Sequence, residues 1–242
     1  MAMRALLAGG LLVLGGCMPA PDIDEGEWVR IAAGTAHYQA VDASGAAIEE
    51  RSDGFAIMRR QVSQAEYAAC VAAQACMPLD GALREAAAVD LPAVGISWLD
   101  ASAYAQWMTR RTGVAHRLPR YAEWVLAAGE AFEDEPPQVF DDARNPAQRW
   151  LAEYDRESRR KPLDPRPLAF GSQGRNDNGL LDVAGNVWEW TDSCVGQGEF
   201  CGIRVAAGQH PSGLSDFVRD PVSGACSVGV PPSNLGFRLV RE

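Results

Sequence analysis

The chain has 242 residues, 47 % of them hydrophobic and 22 % charged, which suits one globular domain with a sizeable core. A formal net charge of −10 argues against a nucleic-acid binder, because phosphate recognition needs clustered Lys and Arg and the field here has the wrong sign. With 24 glycines, 15 prolines and 8 % aromatics, the composition predicts a loop-rich fold and not a helical bundle.

Arg4 precedes an apolar run from Ala5 to Leu14, followed by Gly15, Gly16 and Cys17. That is the layout of a secretory signal with small residues at its cleavage site, and the run is too short to span a bilayer. Leu14-Gly15-Gly16-Cys17 is also similar to a bacterial lipobox, so the expectation is lipidation of Cys17; ordinary secretion and a buried cysteine are the alternatives. Residues 1–16 are then the signal, 17–27 a lipidated acidic tether and 28–242 the domain, held at the periplasmic face of a membrane.

Trp28 to Thr35 reads as a strand ending at Gly34, and Phe55 to Val62 as a second; the residues between are turn-rich and carry no clear pattern. Ser63 and Glu66 form a capping-box pattern that starts a helix running to about Ala73. Cys70 and Cys76 bracket its end and can pair only if the chain leaves the helix between them. An oxidising compartment favours that disulfide over a metal or redox pair.

A longer helix begins at Ser97, with Asp100 at its third position and Gly113 as its stop. Trp98, Ala101, Tyr104, Ala105 and Met108 recur at helical spacing and predict a core-facing stripe, with Tyr104 and Trp107 as a ligand platform the alternative. A third helix follows Pro119 and ends at Gly129. Residues 130–178 read mostly as surface loop, closing with a polar turn at Asn176, Asp177 and Asn178.

The densest information lies in GLLDVAGNVWEWTDS, residues 179–193. Val187 to Trp190 alternate as a strand would, sending Trp188 and Trp190 to one face and Val187 and Glu189 to the other. Gly185 and Asn186 supply the turn ahead of it, across which Asp182 and Glu189 can converge with backbone carbonyls between them. Hard oxygens in that pattern suit calcium.

Together with PAVGISWLDASAYAQWMTRRTG at 92–113, RLPRYAEWVLAAG at 117–129 and SNLGFRLVRE at 233–242, this motif resembles the formylglycine-generating enzyme, or sulfatase-modifying factor, family. The resemblance implies an α+β fold related to the C-type lectin type, with short strands, two or three helices and much irregular chain. It further implies one structural calcium held by the side chains of Asp182 and Glu189 and the carbonyl oxygens of Gly185 and Val187. Family members carry a small capping residue and then Glu after the proline, where this chain has Arg120 and Tyr121. That departure is expected to weaken the third helix cap without threatening the fold.

Family enzymes oxidise a substrate cysteine with copper and oxygen, using two cysteines near the C-terminus, since soft Cu(I) prefers thiolate sulfur. The equivalent positions here are Gly213 and Val218, and neither can hold copper. Nearby, Cys194 and Cys201 flank a Gly-rich loop and are expected to form a disulfide, although other pairings can be drawn. Cys226 is then the odd thiol and the only weak catalytic candidate. His37 and His116 have no ligand spacing. Phe237, Arg238 and Leu239 alternate across a last strand, and His210, Asn234 and Arg238 are groove candidates, with fixing the terminal strand the alternative for the last two.

The expectation is a periplasmic, lipid-anchored accessory or binding protein for an envelope protein or peptide, containing calcium and not copper. GACSVGVPPSNLGFRLVR is further similar to family members associated with copper nitrite reductase. Alternatives are an oxidoreductase acting on a peptidyl or small-molecule substrate and, by fold analogy alone, a carbohydrate-binding module.

Overall fold

The computed structural model describes residues 27–40, 46–79, 87–134, 166–194, 201, 204–209 and 234–242. Cys17, His210, Gly213, Val218 and Cys226 lie outside them, as do the signal and most of the tether. In chain order the elements are β1 (Trp28–Ile31), β2 (Gly34–Gln39), β3 (Ala47–Ser52), β4 (Phe55–Met58), α1 (Gln64–Ala72) and α2 (Trp98–Thr112). They continue with β5 (His116–Arg117), α3 (Tyr121–Ala128), β6 (Trp188–Cys194), β7 (Arg204–Ala207), β8 (Leu235–Gly236) and β9 (Val240–Arg241). Three α-helices and short strands among the described residues make this the α+β architecture the resemblance implies.

Four strands form the central sheet in the order β1-β4-β9-β5, all antiparallel, so the chain's last residues sit between β4 and β5. Strand alternation explains its two cores. Trp28, Ala56 and Met58 meet α1 and α2 through Tyr67, Cys70, Tyr104 and Met108. Ile31, Ile57 and Val240 belong to a second cluster with Trp124, Ala127 and Ala128 of α3 and with Leu180, Val183 and Ala207. A smaller sheet, ordered β7-β6-β8, carries the central motif, with β6 and β8 parallel in register Trp188↔Leu235 and Glu189↔Gly236.

The helix ends follow the sequence signals. Ser63 accepts from the Glu66 N–H at 3.2 Å while Glu66 accepts from the Ser63 N–H at 2.7 Å. Ser97 and Asp100 repeat the exchange at 3.1 Å each way, and Gly113 ends α2 at φ 74°, where a side chain would be strained. At α3 only half of the box exists: Arg120 offers no side-chain acceptor, but Glu123 accepts its N–H at 2.7 Å. The same carboxylate accepts from Arg117 at 2.7 and 2.8 Å.

Both expected disulfides are present. Cys70 joins Cys76 with their Cα atoms 5.4 Å apart, and α1 ends at Ala72 between them, so the chain leaves the helix as pairing requires. Cys194 at the end of β6 joins Cys201 across 5.5 Å.

Three readings need correcting. The first strand stops at Ile31, and the stretch after it, read as patternless, forms the β2–β3 hairpin with Gly34 opposite Ser52. β4 ends at Met58, short of Val62, because Arg59 to Val62 turn toward α1 and Val62 bonds the Phe237 carbonyl instead. The terminal segment is not one alternating strand: β8 and β9 serve different sheets, and Phe237, Arg238 and Leu239 between them are all fully buried.

Candidate functional site

The segment 166–194 is built from backbone turns closed by side chains. Asn186, at φ 68°, accepts from the Leu168 N–H at 2.8 Å and donates to the Leu168 carbonyl at 3.0 Å. Asn176 donates to the carbonyls of Ala127 and Ala128 at 2.7 and 2.9 Å, fastening the loop to the end of α3. Asn178 adds bonds to the Leu126 and Ala127 carbonyls, so the polar turn of 176–178 is structural. Asp182, at φ 57°, accepts the N–H groups of Gly171 and Gln173, each at 2.7 Å.

In β6, Trp188 and Trp190 share a face as the alternation predicts and pack together with Ala206 and Leu235. Trp190 donates to the Ile96 carbonyl at 2.6 Å and Trp98 to the Thr191 carbonyl at 3.1 Å, joining the motif to the start of α2. Trp98 is only partly buried and carries the Arg204 guanidinium 3.9 Å above its ring. Of the expected α2 stripe, Ala101, Tyr104, Ala105 and Met108 are buried, and Trp107 joins them in the core.

On the opposite face Glu189 is fully buried, and its carboxylate is surrounded by donors. Arg238 reaches it from Nε at 2.5 Å and from Nη2 at 2.6 Å, a bidentate pair. Gln61 donates to Oε1 at 2.7 Å and Trp124 to Oε2 at 3.0 Å. The remaining donor capacity of Arg238 goes to the carbonyls of Met58, Arg59 and Leu181 at 3.0–3.3 Å. Arg238 is therefore not a groove residue: at 0 % exposure it fixes the terminal segment against β4 and β6. Asn234 is also buried and accepts the Trp188 N–H on its carbonyl at 2.8 Å.

This donor set does not fit the calcium the resemblance implies. Calcium takes six to eight oxygen ligands, each of which must offer a lone pair that no donor already holds. Each Glu189 oxygen already accepts two hydrogen bonds, Oε1 from Arg238 and Gln61 and Oε2 from Arg238 and Trp124, which fills its lone pairs, while the Asp182 oxygens and Gly185 O accept one each. Gln61 Oε1, which is buried without a protein partner, adds one neutral oxygen. Among the described residues no three His, Cys, Asp or Glu converge as a metal site would require.

Four of the six cysteines are consumed in disulfides, and the other two, Cys17 and Cys226, lie outside the described residues. His37 sits on the surface beside Glu49 at 3.4 Å, while His116 is buried against the Trp28 ring, so neither faces the motif. Burial lowers the His116 pKa below 6.5, partly opposed by the Val114 carbonyl that its ring bonds at 2.7 Å and reinforced by the charge of Arg241.

A cleft of about 670 Å³ lies elsewhere, lined among others by Arg30, Ser52, Asp53, Arg117, Arg120 and Arg241. Arg117 is tied to Glu123 and Glu242, and Arg120 to Glu50 and Glu123. Sequence reasoning missed Gln61 and Trp124 as partners of Glu189. Neither carries a local signal, since their role depends on strand and helix placement far from the motif.

Known proteins share this fold. The structure of PvdO from Pseudomonas aeruginosa superposes with a TM-score of 0.58 at 20 % identity, covering 89 % of this chain and 94 % of that one, a likeness of fold. The inactive Cα-formylglycine-generating enzyme 2 of Mus musculus is 34 % identical over 113 residues, 43 % of this chain and 33 % of that protein. The formylglycine-generating enzyme of Streptomyces coelicolor is 33 % identical over 106 residues, 41 % of this chain and 31 % of that protein. The chain thus spans about a third or less of the length of the curated relatives it matches. The family described as the sulfatase-modifying factor enzyme 1-like domain matches residues 15–242, and the chain belongs to it.

Proposed function

We propose that this chain is an accessory or binding protein of the cell envelope that uses the formylglycine-generating-enzyme fold without its copper oxidase chemistry. The observation that carries the reading is the thiol inventory. A Cu(I) dithiolate needs two thiolates, and the two disulfides leave Cys226 as the single free cysteine once Cys17 is acylated. Similarity to a mouse relative whose name includes "inactive" supports the idea that the fold persists where the oxidation does not.

The lipobox-like run ending at Cys17 supports a lipoprotein anchored at the periplasmic face, and the intact disulfides suit that oxidising compartment. Its partner is an envelope protein or an exposed peptide. The similarity of the C-terminal run to members associated with copper nitrite reductase makes that enzyme the partner to test first.

The test combines three readouts on protein isolated from membranes. Fatty-acyl labelling is expected in the native chain and lost in Cys17→Ser. Oxygen consumption on cysteine peptides with added copper is expected to stay at background, and crosslinking in intact cells is expected to capture nitrite reductase or another defined envelope protein. Copper-dependent aldehyde formation on a peptide, lost in Cys226→Ser, overturns the reading in favour of an oxidoreductase.

A further inference from the structure

We propose that the Arg238 guanidinium does in this chain the work of the family-type calcium, so that the 179–193 segment is held in place by protein groups alone. The disagreement between the expected ligands and their observed partners carries the inference. A divalent ion serves such a loop in two ways, neutralising its carboxylates and tying distant backbone segments together.

Here both tasks are already performed. Arg238 neutralises Glu189 through two bonds and, from the same guanidinium, ties Met58, Arg59 and Leu181 to the terminal segment. Asp182 draws the 171–173 turn onto the motif with two N–H bonds, and Asn186 closes it at Leu168 with a matched donor and acceptor. A calcium ion at Glu189 would have to displace a fully buried guanidinium and leave it without its anion, the costliest state a buried ion pair can reach.

The test is the thermal unfolding midpoint of the full-length protein in EGTA and in millimolar calcium. Coincident midpoints are expected. An ion at a hundredfold saturation would raise the midpoint by roughly 5–10 °C in a domain of this size. A rise of that order that disappears in Asp182→Asn and Glu189→Gln overturns the proposal, whereas a rise retained in both variants places the ion elsewhere and leaves it standing. Should the variants fail to fold, amide hydrogen exchange of residues 179–193 in the native protein decides: equal protection with and without calcium supports the proposal, and protection gained with calcium contradicts it.

Discussion

Glu189 and Arg238, 49 residues apart in sequence, form a fully buried bidentate ion pair that joins the tryptophan motif to the end of the chain. Removing one partner strands the other in a low-dielectric core. Arg238→Met is therefore expected to destabilise the fold by about 3–5 kcal/mol. Glu189→Gln with Arg238→Met should cost less than the sum of the two single changes, as read by a double-mutant cycle in urea. Additive losses would mean that the two side chains act independently.

Gly236 lies hard against the chain before α2. A Cβ built there would lie 2.6 Å from the Ala93 carbonyl oxygen, which is backbone and cannot swing aside. Gly236→Ala is expected to lose about 1–3 kcal/mol, measured by chemical denaturation. A neutral substitution would show that β8 and the 92–97 segment can separate freely.

Acid sensitivity should come from two buried glutamates at helix N-termini. For Glu66, burial acts upward most strongly, but the hydrogen bonds and charge of Arg60 with those of Ser63 outweigh it and set the pKa below 4.5. Glu123 follows the same balance, burial being outweighed by Arg117, the Arg120 N–H and the charges of both arginines. Carboxylates lowered in the folded state add stability above pH 4.5 that is lost as the pH falls through their folded values. Glu123→Gln should thus be less stable than the native chain near neutrality, with the gap narrowing in acid; a pH-independent gap would contradict this.

His116 works in the same direction in a higher window. Burial holds it neutral, so protons bind the unfolded chain more readily once the pH drops below 6.5. The stability slope just below pH 6.5 should flatten in His116→Asn, measured by denaturation at a series of pH values. An unchanged slope would assign that proton uptake to another group.

The Cys70–Cys76 link closes a short loop at the end of α1, beside the Tyr67 hydroxyl bond to the Met77 carbonyl at 3.0 Å. Replacing both cysteines by serine should cost about 2 kcal/mol, in line with so short a closed loop.

Much of this fold was legible locally. The capping boxes at Ser63 and Ser97, the stop at Gly113 and the paired tryptophans of β6 are written within a few residues of where they act, and the structure places them as the spacing predicts. The β2–β3 hairpin was not legible, because its strands expose one polar edge after another, with burial rising fully only at Ala36 and Ser52. The fate of the motif's carboxylates was hidden for a different reason. Asp182 and Glu189 look like calcium ligands in isolation, and only the tertiary fold brings Gln61, Trp124 and Arg238 to Glu189. Alternation likewise misled at Arg238, since a segment passing between two sheets is buried on all sides.

On the proposed function, the mature chain holds no copper dithiolate. The most direct test is a free-thiol count together with copper content, on protein purified from the envelope without chelator and again after copper loading. One reactive thiol at most and no retained copper is the predicted result. Stoichiometric copper that protects Cys226, or a second free thiol beside it, would contradict the account.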